Sequence, residues 1–195
     1  DEAIHVLERS LSSRKWINGG LPTACRLGLY AGFRPEEMAW CQWTWLNSNR
    51  RRIEIQETVC DETGQRWIPK DWEMRVIGVK SELVGYVAEQ KKWLKKQDLL
   101  GPFMLPGGGA RRSGFKNKPL SENAIQSAFR KMVLAEKLDP KITLYSFRHT
   151  FITELLRAGV DLRTVQEIAG HSDIRTTEGY LHALRAEKQT DGLPY

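Results

Sequence analysis

Ala169-Gly-His-Ser-Asp-Ile-Arg-Thr-Thr-Glu-Gly-Tyr-Leu-His182 carries the decisive pattern of this 195-residue chain. Gly170 is a helix stop and Ser172-Asp173 a helix start, which predicts a tight turn between two helices with His171 inside it. Tyr180 then falls about two turns into the second helix. A histidine after glycine is ordinarily a cap or a surface group. A tyrosine on a short helix ordinarily packs at the rim with its hydroxyl outward. Taken singly, both residues are explained that way, so the question is what the rest of the chain brings to them.

Working outward, Leu144-Tyr-Ser-Phe-Arg-His-Thr-Phe151 opens an amphipathic helix predicted from Thr143 to Gly159. Leu144, Phe147, Phe151 and Leu155 make its apolar stripe. Tyr145, Arg148 and His149 are three and four residues apart and share another face. Between the two stretches, Asp161 caps a helix with Val160 and Val165 at the hydrophobic-staple positions, and Gly170 ends it. Two isolated features lie upstream. Arg34 sits in Gly32-Phe-Arg-Pro-Glu-Glu37, just beyond an apolar helix over 21–31, and a plain Arg–Glu pair with Glu37 would explain that spacing. Lys70 sits at a turn between two predicted strands, where alone it reads as an ordinary exposed lysine.

The remaining pattern completes a mainly α domain with a small three-stranded antiparallel β-sheet. Helices are expected over 2–12, 21–31, from a cap at Ser81 to Lys96, and from a cap at Ser121 to Leu138, with a helical turn after Arg34. Leu83, Tyr86, Val87 and Leu94 form the buried stripe of the third of these. Trp40 to Trp45 is aromatic and expected in the core. Arg52 to Val59 alternates with period two, and with 65–69 and 74–79 it should build the sheet. Residues 101–119, with Gly107-Gly-Gly109 and four basic residues, are expected as an exposed loop. Thirty Lys and Arg against twenty-four Asp and Glu leave a net charge of +6, which suits a polyanionic partner. Cys25, Cys41 and Cys60 have neither CxxC nor Cys/His ligand spacing, so reduced thiols are expected and a zinc site is not. There is no apolar run of membrane-spanning length and no signal peptide at the start, so a cytoplasmic protein is expected.

Arg34, Lys70, Arg148, His171 and Tyr180 together match a chemical specification. Attack on a phosphodiester without a metal needs an oxygen nucleophile, fixed cations on the non-bridging oxygens, and an acid for the leaving alkoxide. Two arginines offer planar forks of donors that stay charged. A lysine with a pKa of about 10.4 is an acid at neutral pH, and a phenol with a pKa of about 10 needs neighbouring help to become a nucleophile. Paired carboxylates at two-metal nuclease spacing are not apparent.

The order Gly32-Phe-Arg34-x-x-Glu37, Lys70, Phe147-Arg-His-Thr150, Gly170-His-Ser172 and Tyr180-Leu-His182 resembles the tyrosine recombinases, or phage integrases, over essentially the whole chain. The resemblance implies the tyrosine recombinase catalytic-domain fold, that of the DNA breaking-rejoining enzymes, over 1–182. It implies a tail over 183–195 that docks on a neighbouring subunit, and an N-terminal DNA-clamping domain that this chain lacks. It implies that Arg34 and Arg148 clamp the scissile phosphate, with Glu37 buttressing Arg34. His171 would donate to a non-bridging oxygen, Lys70 would protonate the departing 5′ oxygen (Lys80 lies nearby), and Tyr180 would attack phosphorus to leave a 3′-phosphotyrosyl link. No cofactor or metal is implied. The implied partners are double-stranded DNA, further copies of the chain in a dimer or tetramer, and accessory DNA-bending proteins, in the nucleoid of a bacterial or phage-infected cell.

One departure stands out, since the family usually has histidine where this chain has Tyr145, placing that residue's proton-handling role in question. Arg111, Arg112, Lys116, Lys118, Gln126 and Arg130 are the candidate DNA contacts, and phosphate contacts should supply most of the affinity. Two rival functions share the motif set: a type IB topoisomerase-like enzyme, and a DNA-binding module without catalysis.

Overall fold

The computed structural model describes residues 2–11, 20–70, 74–105 and 117–191. In chain order it contains α1 (Glu2–Ser10), α2 (Leu21–Ala31), α3 (Pro35–Trp40), a 3₁₀ turn (Trp43–Trp45), β1 (Leu46–Asn47), β2 (Arg52–Ile55), β3 (Thr58–Val59), β4 (Arg66–Trp67) and β5 (Arg75–Gly78). Then come α4 (Ser81–Lys96), α5 (Glu122–Ala135), α6 (Leu144–Arg157), α7 (Leu162–Ala169) and α8 (Ile174–Asp191). Helices dominate and the strands are short, as the pattern predicts.

The central element is α2, whose residues are nearly all buried. It packs against α6, and the approach is close because Gly28 lacks a side chain: a Cβ there would lie 2.8 Å from Cβ of Phe147. Gly32 ends the helix in the left-handed region at φ 64, with the Phe151 ring where its Cβ would point. A side chain at Gly32 would therefore be strained twice, by backbone conformation and by contact. This turn delivers Arg34 to the surface of the core.

The expected three-stranded antiparallel sheet is present, but its third strand is not the expected one. β2 pairs antiparallel with β5 on one edge and with β1 on the other, while β3 and β4 form a separate two-stranded ribbon. The predicted strand over 52–59 is broken at Gln56-Glu57. Ile53 and Ile55 face inward, but after the break it is Thr58 and Cys60 that are buried, and Val59 is exposed. A one-residue phase shift exchanges the two faces of a strand. It is fixed here by Trp45, whose Nε1 donates to Thr58 Oγ1 at 3.1 Å. Trp40, Trp45, Trp67 and Phe103 cluster behind it as an aromatic core, with only Trp40 and Trp67 stacked face to face.

Other boundaries move less. Lys80, not Ser81, is the N-cap of α4, and Ser81 is its first helical residue. Phe103, Met104 and Leu105 are buried, so the segment expected to be exposed from residue 101 begins inside the core, where apolar side chains gain most. Residues 106–116 of that expected loop lie outside the described residues. Asp161 caps α7 through Oδ1, which accepts from the Thr164 amide at 2.9 Å. Ile152, Val165 and Ala169 form a second small core, on which Tyr180 is partly buried. α8 runs on without interruption past residue 182 to Asp191, so the expected tail begins as helix.

Candidate active site

Three arginines converge on the end of α7. The last carbonyls of a helix lack internal donors and carry partial negative charge. Here Arg75 Nε donates to the Ile168 carbonyl at 2.9 Å, Arg148 Nη2 to that of Ala169 at 2.5 Å, and Arg34 Nη2 to that of Gly170. Arg148 Nη1 also donates to the Gly32 carbonyl at 2.6 Å, tying the end of α2 to the end of α7. The Gly170 turn is therefore pinned by cations that reach it from the N-cap of α3, from β5 and from α6.

Glu37 holds this group together. Its carboxylate accepts from the Arg34 amide at 2.7 Å and from Arg34 Nη1 at 3.0 Å. It also takes a bidentate fork from Arg75, at 2.8 Å on each oxygen. Glu37, Arg75 and Arg148 are all buried. Burial alone would raise the Glu37 pKa, but Arg75 and Arg34 outweigh it and hold the carboxyl below its usual value. Desolvation, with Arg34 close by, draws the Arg148 pKa down to about 10, so it stays charged at neutral pH.

The histidines and tyrosines line the open side. Gly170 adopts the left-handed region at φ 66 and turns the chain so that His171 faces the arginines. Gln166 Nε2 donates to the His171 carbonyl at 2.8 Å, and His171 Nδ1 lies 2.9 Å from Oγ1 of the fully buried Thr177. With Nδ1 so occupied, Nε2 is the nitrogen left for a ligand. Burial, followed by Arg148 and Arg34, lowers the His171 pKa to about 4. The Tyr180 ring stacks on His171 at 6.2 Å between centroids, and its Oη lies 2.5 Å from Nδ1 of His149. Burial pushes the Tyr180 phenol up while Arg148 opposes the shift.

Arg34, Glu37, Arg148, His171 and Tyr180 thus meet in one place. Tyr145 lies beside them, exposed, with its phenol raised first by burial and then by Glu122. Lys70 is exposed at the edge of the described segment, and no described contact joins it to this cluster. Of the expected DNA contacts, Gln126 and Arg130 line a cavity of about 300 Å³ together with Tyr145 and Pro35. Lys118 pairs with Glu62 at 3.2 Å, and Arg111, Arg112 and Lys116 lie outside the described residues. The sequence reading missed three members. Arg75 was signalled by its register, since it shares the buried face of β5 with Ile77. His149 was visible on the Arg148 face without a role, and Thr177 carried no signal.

This arrangement offers an anion a cationic pocket with a phenolic hydroxyl at its rim. The phage integrase family profile matches residues 18–187. The chain belongs to the phage integrase family. Among curated relatives, a tyrosine recombinase of Agathobacter rectalis is 42% identical over 81 residues, covering 42% of this chain and 26% of that protein. The tyrosine recombinase XerD of Staphylococcus saprophyticus is 41% identical over 70 residues, covering 36% of this chain and 24% of its own length. The matched segments thus span about a quarter of those proteins. The XerA recombinase structure superposes with a TM-score of 0.71 at 21% identity, over all of this chain and 64% of that one. The Tn1549 transposon integrase, solved in complex with transposon right end DNA, gives 0.70 at 20% identity, over 96% and 63%. The likeness establishes the tyrosine recombinase catalytic-domain fold.

Proposed function

We propose that the chain is the catalytic domain of a site-specific DNA recombinase, cutting and rejoining strands through a 3′-phosphotyrosyl intermediate without a metal. The observation that supports this most is the convergence of Arg34, Arg148, His171 and Tyr180 around the end of α7. Arg34 and Arg148 neutralise the non-bridging oxygens of the scissile phosphate, and their fixed attachment to Glu37 and to backbone carbonyls means that little reorganises as charge develops. His171 donates from Nε2 to the same oxygens. The phosphate's negative charge raises its pKa from the depressed value and strengthens that donation. Tyr180 Oη attacks phosphorus, the bond to the 5′ oxygen breaks, and Lys70 protonates that oxygen. The covalent link preserves the bond, so rejoining needs no nucleotide cofactor.

The substrate is double-stranded DNA, gripped partly by Gln126 and Arg130 beside Tyr145, with Arg111, Arg112, Lys116 and Lys118 as further phosphate contacts. Four copies assemble over two duplexes, with accessory DNA-bending proteins as partners, on nucleoid DNA in the cytoplasm. Residues 183–195 reach the neighbouring subunit. Covalent trapping tests the chemistry: nicked duplexes of randomised sequence are incubated with the chain in EDTA and resolved on denaturing gels. The parent chain should form protein–DNA adducts, and Tyr180→Phe should form none while still binding DNA. Adducts formed by Tyr180→Phe would move the nucleophile to another tyrosine, and a strict need for a divalent ion would overturn the mechanism.

A further inference from the structure

Tyr180 makes a contact that the roles above leave unused, the one between its Oη and Nδ1 of His149, at 2.5 Å with ring centroids 5.3 Å apart. From this geometry we infer that His149 is a catalytic residue, the base that takes the Tyr180 proton as the oxygen attacks phosphorus and returns it on rejoining. The inference rests on Tyr180 being the nucleophile.

The other candidates for this task are poorly placed. His171 stacks on Tyr180, but its Nδ1 is engaged by Thr177. Tyr145 stands where an imidazole would be expected to handle the proton, and its phenol is displaced upward, away from the range of a base at neutral pH. His149 has the needed state. Acceptance at Nδ1 requires the neutral ring with its proton on Nε2. Partial desolvation by its neighbours and then the adjacent Arg148 lower its pKa, so that neutral ring dominates at neutral pH. The groups facing it are Arg148 on its own helix, Tyr180 from α8 and His171 from the turn. The residue is also exposed, so its proton can exchange with water.

The step balances. The Tyr180 O–H bond breaks, its oxygen forms the O–P bond, and the proton becomes the second N–H of His149. The P–O5′ bond breaks, and the 5′ oxygen is protonated separately. The imidazolium so formed lies beside Arg148, and the phosphate that Arg148 holds offsets their repulsion. In the reverse direction the 5′ hydroxyl attacks, and His149 protonates the departing phenolate.

The test is single-turnover adduct formation on the same nicked pool across a pH range, with His149→Ala, His149→Gln and Tyr180→Phe. A general base contributes about 10²–10⁴-fold. His149→Ala should therefore slow cleavage by at least about a hundredfold near neutrality and regain rate as pH rises toward the phenol's own ionisation. The parent profile should be flat there and fall only on the acid side of an ordinary histidine. Gln keeps an acceptor atom but cannot hold the proton, so His149→Gln should resemble His149→Ala. Substrates with sulfur in place of the bridging 5′ oxygen should not rescue either variant, because the leaving group is not the affected atom. A parent-like rate and pH profile in His149→Ala, or full recovery in His149→Gln, would overturn the inference while leaving Tyr180 as nucleophile. Adducts in Tyr180→Phe would instead remove the reading on which it rests. Thermal melts of each variant confirm that the fold is kept.

Discussion

The arginine side of the site and its tyrosine side hold their groups by different means. Arg75, Arg148 and Glu37 are buried and locked by multiple bonds to one another's elements and to the carbonyls at the end of α7. His149 and Tyr145 are exposed, and His171 and Tyr180 are half-buried, each of these two with one described side-chain hydrogen bond. On the proposed mechanism, the charges that must be in place before the reaction are built into the interior, where reorganisation is costly and so is avoided. The groups proposed to exchange protons stay near water. The two sides should therefore respond differently to substitution, with stability affected on one and rate on the other.

The largest effect on stability should come from Glu37→Ala. It leaves Arg75 buried without its carboxylate and removes the acceptor for the Arg34 amide. Breaking a buried ion pair from one side costs about 3–5 kcal/mol. Urea denaturation should register that loss, whereas Tyr180→Phe should be nearly silent in the same assay. A Glu37→Ala change below about 1 kcal/mol would mean that the arginines are held by the carbonyls alone.

On the other side, Tyr145→Phe should spare stability and reduce single-turnover cleavage by roughly tenfold, about 1.4 kcal/mol, the scale of one hydrogen bond. Its pH profile should match the parent's, because the hydroxyl orients groups without carrying the proton away. That combination separates Tyr145 from His149, whose loss changes the shape of the profile. If the Phe variant cleaves at the parent rate, Tyr145 is simply a surface residue beside the cavity it shares with Gln126 and Arg130.

The same contrast governs what could be read from the sequence. The turn at Gly170, the Asp161 cap and the face shared by Tyr145 and Arg148 are set by neighbours within a few residues, and they were legible. The three-stranded sheet was legible too, but the break in its 52–59 strand was not, because the phase shift at Gln56-Glu57 depends on Trp45 reaching Thr58 across the fold. The register of β5 marked Arg75 as buried, but its role was missed because its partner Glu37 lies 38 residues away. The His149–Tyr180 contact joins residues 31 apart. Local chemistry announced the residue types, while packing decided which of them touch.

Acid titration of stability separates the two sides as well. Both histidines of the site titrate below their ordinary value in the fold, His171 at about 4. The folded chain then binds fewer protons than the unfolded chain between about 6.5 and that lower value. Stability must rise with pH across this window, and the histidine contribution is complete above it and lost on acidification toward pH 4. Glu37 has the same sign at a lower window. Its depressed carboxyl contributes above the ordinary carboxylate range and is lost only as pH falls through its folded pKa. Acid titration of urea stability should thus decline in two stages, histidines first and Glu37 second. His171→Asn should flatten the first stage and leave the second. Added salt should shrink only the arginine part of the first stage, because burial is its larger cause, and should barely change the second, where the ion pairs are buried. A first stage that persists unchanged in His171→Asn would transfer the effect to His149 alone.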